Sequence, residues 1–124
     1  MKQIVTENAP KAIGPYSQGL VAGNLVFVSG QIPIDPKTGI MPETVEEQAK
    51  QVLKNLTGVL AEEGLTMKNV IKTVVFLADL ADFQTVNAIY ETFFTAPFPA
   101  RSCVQVAAIP KGAKLEIECI AVKE

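Results

Sequence analysis

The segment Pro99-Ala100-Arg101-Ser102-Cys103-Val104-Gln105-Val106 alternates in polarity, so as a strand it sets Val104 and Val106 on one face and Arg101, Cys103 and Gln105 on the other. A guanidinium is always charged, and its planar fork fits a carboxylate through two parallel hydrogen bonds. Downstream, Leu115, Ile117, Cys119 and Ala121 alternate with Glu116 and Glu118. If both strands turn their aliphatic parity toward the same covering layer, Arg101, Cys103, Glu116 and Glu118 share the opposite face. Two chemistries are then open. Arg101 pairs with Glu116 or Glu118, which the spacing alone favours, or it waits for an anionic ligand.

The chain contains no histidine, which removes the commonest general base, the Ser-His and Cys-His dyads and every His-containing zinc site. Cys103 is therefore read as a packing residue, and the two cysteines are too few for a four-thiolate metal site. Other polar positions give weaker signals. Tyr16 follows Gly14-Pro15 in an irregular segment that turn chemistry alone explains. Ser29 and Gly30 end a strand and offer a hydroxyl and backbone amides. Asn87 sits inside a helix, where it either faces solvent or reaches a specific polar partner.

Eleven Lys and Arg against thirteen Asp and Glu give a net charge of −2 with no basic run, which argues against a nucleic-acid partner. The amino terminus lacks an apolar signal core, and no stretch of about 18 apolar residues appears. A soluble, cytoplasmic protein without a membrane partner is expected. One domain over residues 1–124 is expected too, since a chain of this length buries roughly two-thirds of its unfolded surface without staples.

The elements that must position these groups are legible in periodicity. Val45, Ala49, Val52, Leu53, Leu56, Val59 and Leu60 make one helical stripe over residues 43–64, with Thr44 as cap, Glu47 reaching back to the cap amide and Gly64 as the stop. A second helix is predicted from Asp82 as cap, burying Phe83, Val86, Tyr90, Phe93 and Phe94 and ending before Pro97 and Pro99. Strands are predicted at 3–6, 19–22, 25–29, 70–77, 102–107 and 114–122, with Gly23-Asn24 as a hairpin turn and residues 30–39 as a loop. This is an α+β fold, a mixed sheet of about six strands with two helices packed on one face. The uncovered face, apolar at Leu25, Phe27 and along 70–77, predicts self-association.

Three ordered blocks, Ala12-Ile13-Gly14-Pro15-Tyr16-Ser17-Gln18-Gly19, Ser29-Gly30-Gln31-Ile32-Pro33 and Pro99-Ala100-Arg101-Ser102-Cys103-Val104 with Leu115-Glu116-Ile117-Glu118, resemble the RidA/YjgF family of reactive-intermediate deaminases along essentially the whole chain. Phe93–Pro99 is shorter than in some relatives, which bears on the rim of the pocket. The resemblance implies a chorismate-mutase-like fold and a homotrimer with sheets facing inward and pockets at the subunit junctions. It implies hydrolysis of 2-aminoacrylate and related enamines and imines, released by pyridoxal-phosphate dehydratases, to 2-oxo acids and ammonia, with no cofactor and no metal in the deaminase itself. Carried onto this chain, Arg101 would clamp the substrate carboxylate and Glu116 would position water and relay protons. Cys103 would shape the pocket, and Tyr16, Ser29, Gly30 and Asn87 would line it. The family also implies a second possibility, a non-catalytic carboxylate-binding, regulatory or chaperone-like trimer using the same pocket. Ribonuclease activity fits poorly with a negative chain that has no histidine.

Overall fold

A computed structural model describes every residue from Met1 to Glu124. Six strands form one sheet: β1 (Lys2–Ile4), β2 (Gly19–Ala22), β3 (Leu25–Gln31), β4 (Val70–Leu77), β5 (Ala100–Gln105) and β6 (Leu115–Val122), in spatial order β1-β2-β3-β6-β4-β5. All neighbours are antiparallel except β4 and β5, which run parallel. A parallel pair needs a crossover, and α2 (Phe83–Glu91) supplies it; α1 (Val45–Ala61) links β3 to β4.

The helices occupy one face. Val52, Leu53, Leu56, Val59 and Leu60 of α1 have no solvent exposure, and they pack in one cluster with Val26, Val28, Val75, Leu77, Leu115 and Ile117 of the sheet. Each such side chain contributes about 1.5–3 kcal/mol by leaving water. The Thr44 hydroxyl accepts from the Glu47 amide as expected, while the Glu47 carboxylate turns to Lys50 at 3.4 Å instead of back to the cap. Gly64, at φ +70°, closes the helix, with its N–H donating to Ala61 O and the Leu65 N–H to Leu60 O. At α2 the cap differs from expectation. Asp82 is the first boundary residue but makes no side-chain bond, and Asp79 instead accepts from the Ala81 amide to cap a short 3-10 turn ahead of the helix.

The opposite face of the sheet carries no covering layer within the chain, and Phe27, Ile71 and Val104 are 41%, 45% and 43% exposed on the sheet. No helix is long and apolar enough to cross a membrane.

Two expectations about the sheet are corrected as well. Gly30 and Gln31 belong to β3 rather than to a loop, because the strand continues through a bulge: Val28 pairs with Cys119 and Gln31 with Ile117, so three residues of β3 span two of β6. The face assigned to Arg101 and Cys103 is also reversed. Thr73, Val75 and Leu77 of β4 are buried under the helices, and their lateral partners in β5 are Arg101, Cys103 and Gln105, which therefore point to the helix side. β5 is the outer edge strand, only lightly covered by helix. Its aliphatic Val104 joins the open face beside Phe76, whose other neighbour is Glu116.

Candidate functional site

Arg101 lies against α2. Phe83, Asn87 and Tyr90 recur at i, i+4 and i+7 and so share one side of that helix. The Arg101 Nη1 group donates to Asn87 Oδ1 at 2.7 Å, and the guanidinium carbon sits 4.8 Å from the Tyr90 ring centre and 5.6 Å from that of Phe83. Such stacking holds a cation without consuming its charge. The internal pair with Glu116 or Glu118 does not form: the chain's ion pairs are Lys2–Glu63, Lys123–Glu63 and Lys50–Glu47. Arg101 is exposed at the sheet edge, in a cleft of about 360 Å³ lined with Asn87, Tyr90, Glu91, Phe98 and Pro99. Its free donors face that cleft with no carboxylate of the same chain bound to them.

Cys103 packs against the core edge two residues on, and burial raises its thiol pKa although the nearby Arg101 charge works the other way. A thiol whose pKa is raised forms less of the thiolate that nucleophilic attack requires. Cys119 is buried more deeply, and its pKa is pushed up to about 12, chiefly by desolvation.

The remaining expected residues gather elsewhere. Tyr16, Ser29, Gly30 and Glu116 line a second cavity of about 510 Å³, together with Lys11, Ile32, Pro110 and Lys111. Glu116 projects from β6 on the open side of the sheet. Burial raises its pKa above the ordinary carboxylate value, with a smaller push from the Glu118 charge. The bulge in β3 brings Gly30 against it. A Cβ on Gly30 would lie 2.9 Å from Glu116 Cδ, and closer still to Oε2, so only glycine leaves the carboxylate its place. The two glutamates differ in setting: Glu118 is exposed and borders an adjoining hollow beside Phe27 and Ile120 that shares Tyr16 and Ser29 with the Glu116 cavity.

Buried amides hold the walls of the Glu116 cavity. Gln18 accepts from the Thr6 amide at 2.7 Å and donates to Thr6 O at 3.0 Å and Pro10 O at 2.8 Å, which ties down the loop that carries Tyr16. The Ser29 hydroxyl donates to Ser17 O at 2.5 Å. Asn55, 1% exposed in the middle of α1, donates to Ile32 O at 3.1 Å and Ile34 O at 3.0 Å and fixes the opposite wall.

The expected site is thus divided. Arg101, Asn87 and Cys103 stand at the β5 edge on the helix side, while Tyr16, Ser29, Gly30 and Glu116 stand at a separate cavity reached from the open side. Along β4, the partners of Arg101 and Glu116 are Thr73 and Phe76, three residues apart and of opposite pleat parity. Hydrophobic spacing marks Tyr90 and Phe83 only as core residues, and their spacing to Asn87 is the signal that places them under Arg101. A groove of about 650 Å³ along Gln3–Asn8 touches Ala12 and Gln18 of the first sequence block but none of the expected site residues. No group of three or more His, Cys, Asp or Glu side chains is placed to hold a metal ion.

A helix-backed mixed sheet, with an arginine at its edge that is paired to no carboxylate and a glutamate of raised pKa in a separate cavity, defines a small α+β protein. Comparison with known proteins is specific: the pattern of the family described as Endoribonuclease L-PSP matches residues 6–123, and the chain belongs to that family, the RidA/YjgF group. The 2-iminobutanoate/2-iminopropanoate deaminase of Salmonella typhimurium is 57% identical over 125 residues, 98% of each chain, and the protein of the same name from Escherichia coli is 56% identical with the same coverage. The crystal structure of Escherichia coli TdcF with bound serine superposes with a TM-score of 0.97 at 50% identity, covering 100% of both chains.

Proposed function

We propose that this protein is an imine deaminase that hydrolyses short 2-imino acids, formed by tautomerisation of enamines such as 2-aminoacrylate, to 2-oxo acids and ammonia. The observation that carries the reading is the Arg101 guanidinium, fixed by Asn87 and the Tyr90 ring yet bonded to no carboxylate of its own chain. The two deaminase relatives and the serine-bound relative, whose ligand bears a carboxylate, support it.

The site is completed by association. Each chain offers half of it at each of two clefts, and its open sheet face leaves Phe27, Ile71 and Val104 exposed, apolar groups that association through that face would cover. In a ring of three chains with sheets facing inward, Arg101 of one chain meets the Tyr16, Ser29, Gly30 and Glu116 cavity of the next. A head-to-tail contact of this kind repeats identically around a closed ring.

Within that junction Arg101 holds the substrate carboxylate in a bidentate pair, which orients the imine carbon toward Glu116. Water adds through its oxygen to that carbon. Glu116 takes up one water proton and returns a proton to the nitrogen, giving a carbinolamine. Glu116 then carries the hydroxyl proton to the amine, and the carbinolamine collapses with formation of the C=O bond, cleavage of the C–N bond and departure of ammonia. Burial, which raises the Glu116 pKa, makes the carboxylate a better proton acceptor than an ordinary one, as a group that must take up and return a proton requires. Tyr16 and the Ser29-Gly30 backbone line the acyl side, and Cys103 fills space with its thiol intact. RNA cleavage, which the family description names, has no histidine here to carry acid-base chemistry.

The test is ammonia release from 2-aminoacrylate generated by a dehydratase. Wild type should accelerate it and Arg101→Ala should not, although that variant still assembles. Equal rates would remove the clamp. Binding of 2-oxo acids without any acceleration would make the protein a carboxylate sensor instead.

A further inference from the structure

Arg101 and Thr73 are direct lateral partners on neighbouring strands, and both point toward α2. Tyr90 descends from that helix onto the pair. Its hydroxyl lies 2.8 Å from Thr73 Oγ1, and its ring face lies beneath the Arg101 guanidinium at 4.8 Å. Thr73 is fully buried and Tyr90 is 5% exposed, so no solvent can replace either partner in this bond. The Tyr90 phenol keeps its proton, because burial raises its pKa more than the Thr73 bond and the Arg101 charge lower it.

We propose that Thr73 is a positioning residue for carboxylate recognition, acting through Tyr90 on Arg101; this rests on the clamp reading given above. A tyrosine ring pivots about its Cα–Cβ and Cβ–Cγ bonds, so fixing its far end at the hydroxyl fixes the plane on which the guanidinium rests. Asn87 then sets the rotation of the guanidinium by holding Nη1. Two anchors, one under the plane and one in it, leave the remaining donors aimed into the cleft. Bidentate recognition needs that aim, because a tilted fork makes one bond to the carboxylate instead of two. Phe94, its ring centre 4.5 Å from that of Tyr90, packs on the same ring and limits where it can move if the hydroxyl is released.

The experiment separates positioning from packing. Thr73→Val keeps the shape of the side chain and removes the hydroxyl, leaving the Tyr90 O–H buried without a partner. The expected result is a KM for 2-imino acids about tenfold higher and a kcat within about twofold of wild type, the pattern left when an interaction equal in ground and transition states is lost. Thr73→Ser, which restores the hydroxyl, should return KM to within about twofold. The double variant Thr73→Val, Tyr90→Phe removes both polar partners and should regain melting temperature, since neither group is then buried unsatisfied. Its KM should stay raised because the ring has lost its anchor. An unchanged KM in Thr73→Val, or a KM that recovers with the melting temperature in the double variant, would overturn the proposal. Arg101→Ala run in parallel distinguishes the two levels: ammonia release at the wild-type rate there refutes the clamp itself, whereas loss of release there with a normal KM in Thr73→Val refutes only the role of Thr73.

Discussion

Replacing Gly30 by alanine probes the Glu116 cavity with a single methyl group. The added carbon would lie 2.9 Å from Glu116 Cδ and 3.1 Å from Cγ. Non-bonded carbons settle at about 3.5–4.0 Å, so the carboxylate must retreat by roughly 1 Å. The Gly30 backbone is not in the left-handed region, so alanine meets no conformational penalty of its own. The obstacle is the end of a flexible side chain, and the cost to stability should be about 1 kcal/mol or less, a few degrees of melting temperature. Catalysis is less tolerant, since a misplacement of about 1 Å lowers rates on the order of 100-fold. Gly30→Ala should therefore cut kcat for ammonia release about 100-fold, with the smaller effect on KM because the Arg101 clamp of the neighbouring chain is untouched. A folded variant with kcat within about threefold of wild type, or one whose loss lies wholly in KM, would refute the assignment of Glu116.

Other outcomes follow from the charged groups and the open face. Glu116 has a raised folded-state pKa, so its contribution to stability is fully present below the ordinary value of 4.5 and is lost as pH rises through the raised one; Glu116→Gln should gain stability relative to wild type across that interval in chemical denaturation while losing activity. Glu63 behaves oppositely. Hydrogen bonds from Lys2 and Lys123 lower its pKa, so its contribution is present above 4.5 and is lost as pH falls through the lowered value, and Lys2→Ala with Lys123→Ala should flatten the acid side of the stability profile. Sedimentation at micromolar concentration should give a trimer, and a monomer would contradict the composite site.

Much of the fold is written in hydrophobic spacing, and the exceptions share a cause. The α1 stripe and the Gly64 stop were readable because only one register of a helix buries Val52, Leu56 and Val59 together. The parity of β5 was not. Alternation tells which residues share a face, but not which face meets the helices when an edge strand lies at the rim of the helical layer and its other face is apolar too. Arg101 and Cys103 were accordingly set beside Glu116, whereas their partners Thr73 and Val75 show that they face α2. The bulge at Ser29-Gly30 shifts parity within β3, and that break in alternation is why the strand reads as ending at Ser29 and Gly30 and Gln31 read as loop. Tyr90 carried two meanings in one side chain, an apolar body for the core and a ring face for Arg101, and its apolar role hid the other.

Subunit complementation tests the composite site most directly. Arg101→Ala and Glu116→Gln are each expected to be inactive, and neither can repair the other within one chain. When the two variants are unfolded together, mixed and refolded, random assembly places an intact Arg101 against an intact Glu116 at about one junction in four of a closed ring. Ammonia release should return to about a quarter of the wild-type rate. Two folded, mixed variants that stay as inactive together as they are apart would show that both groups act within a single chain, or that one of them does not act at all.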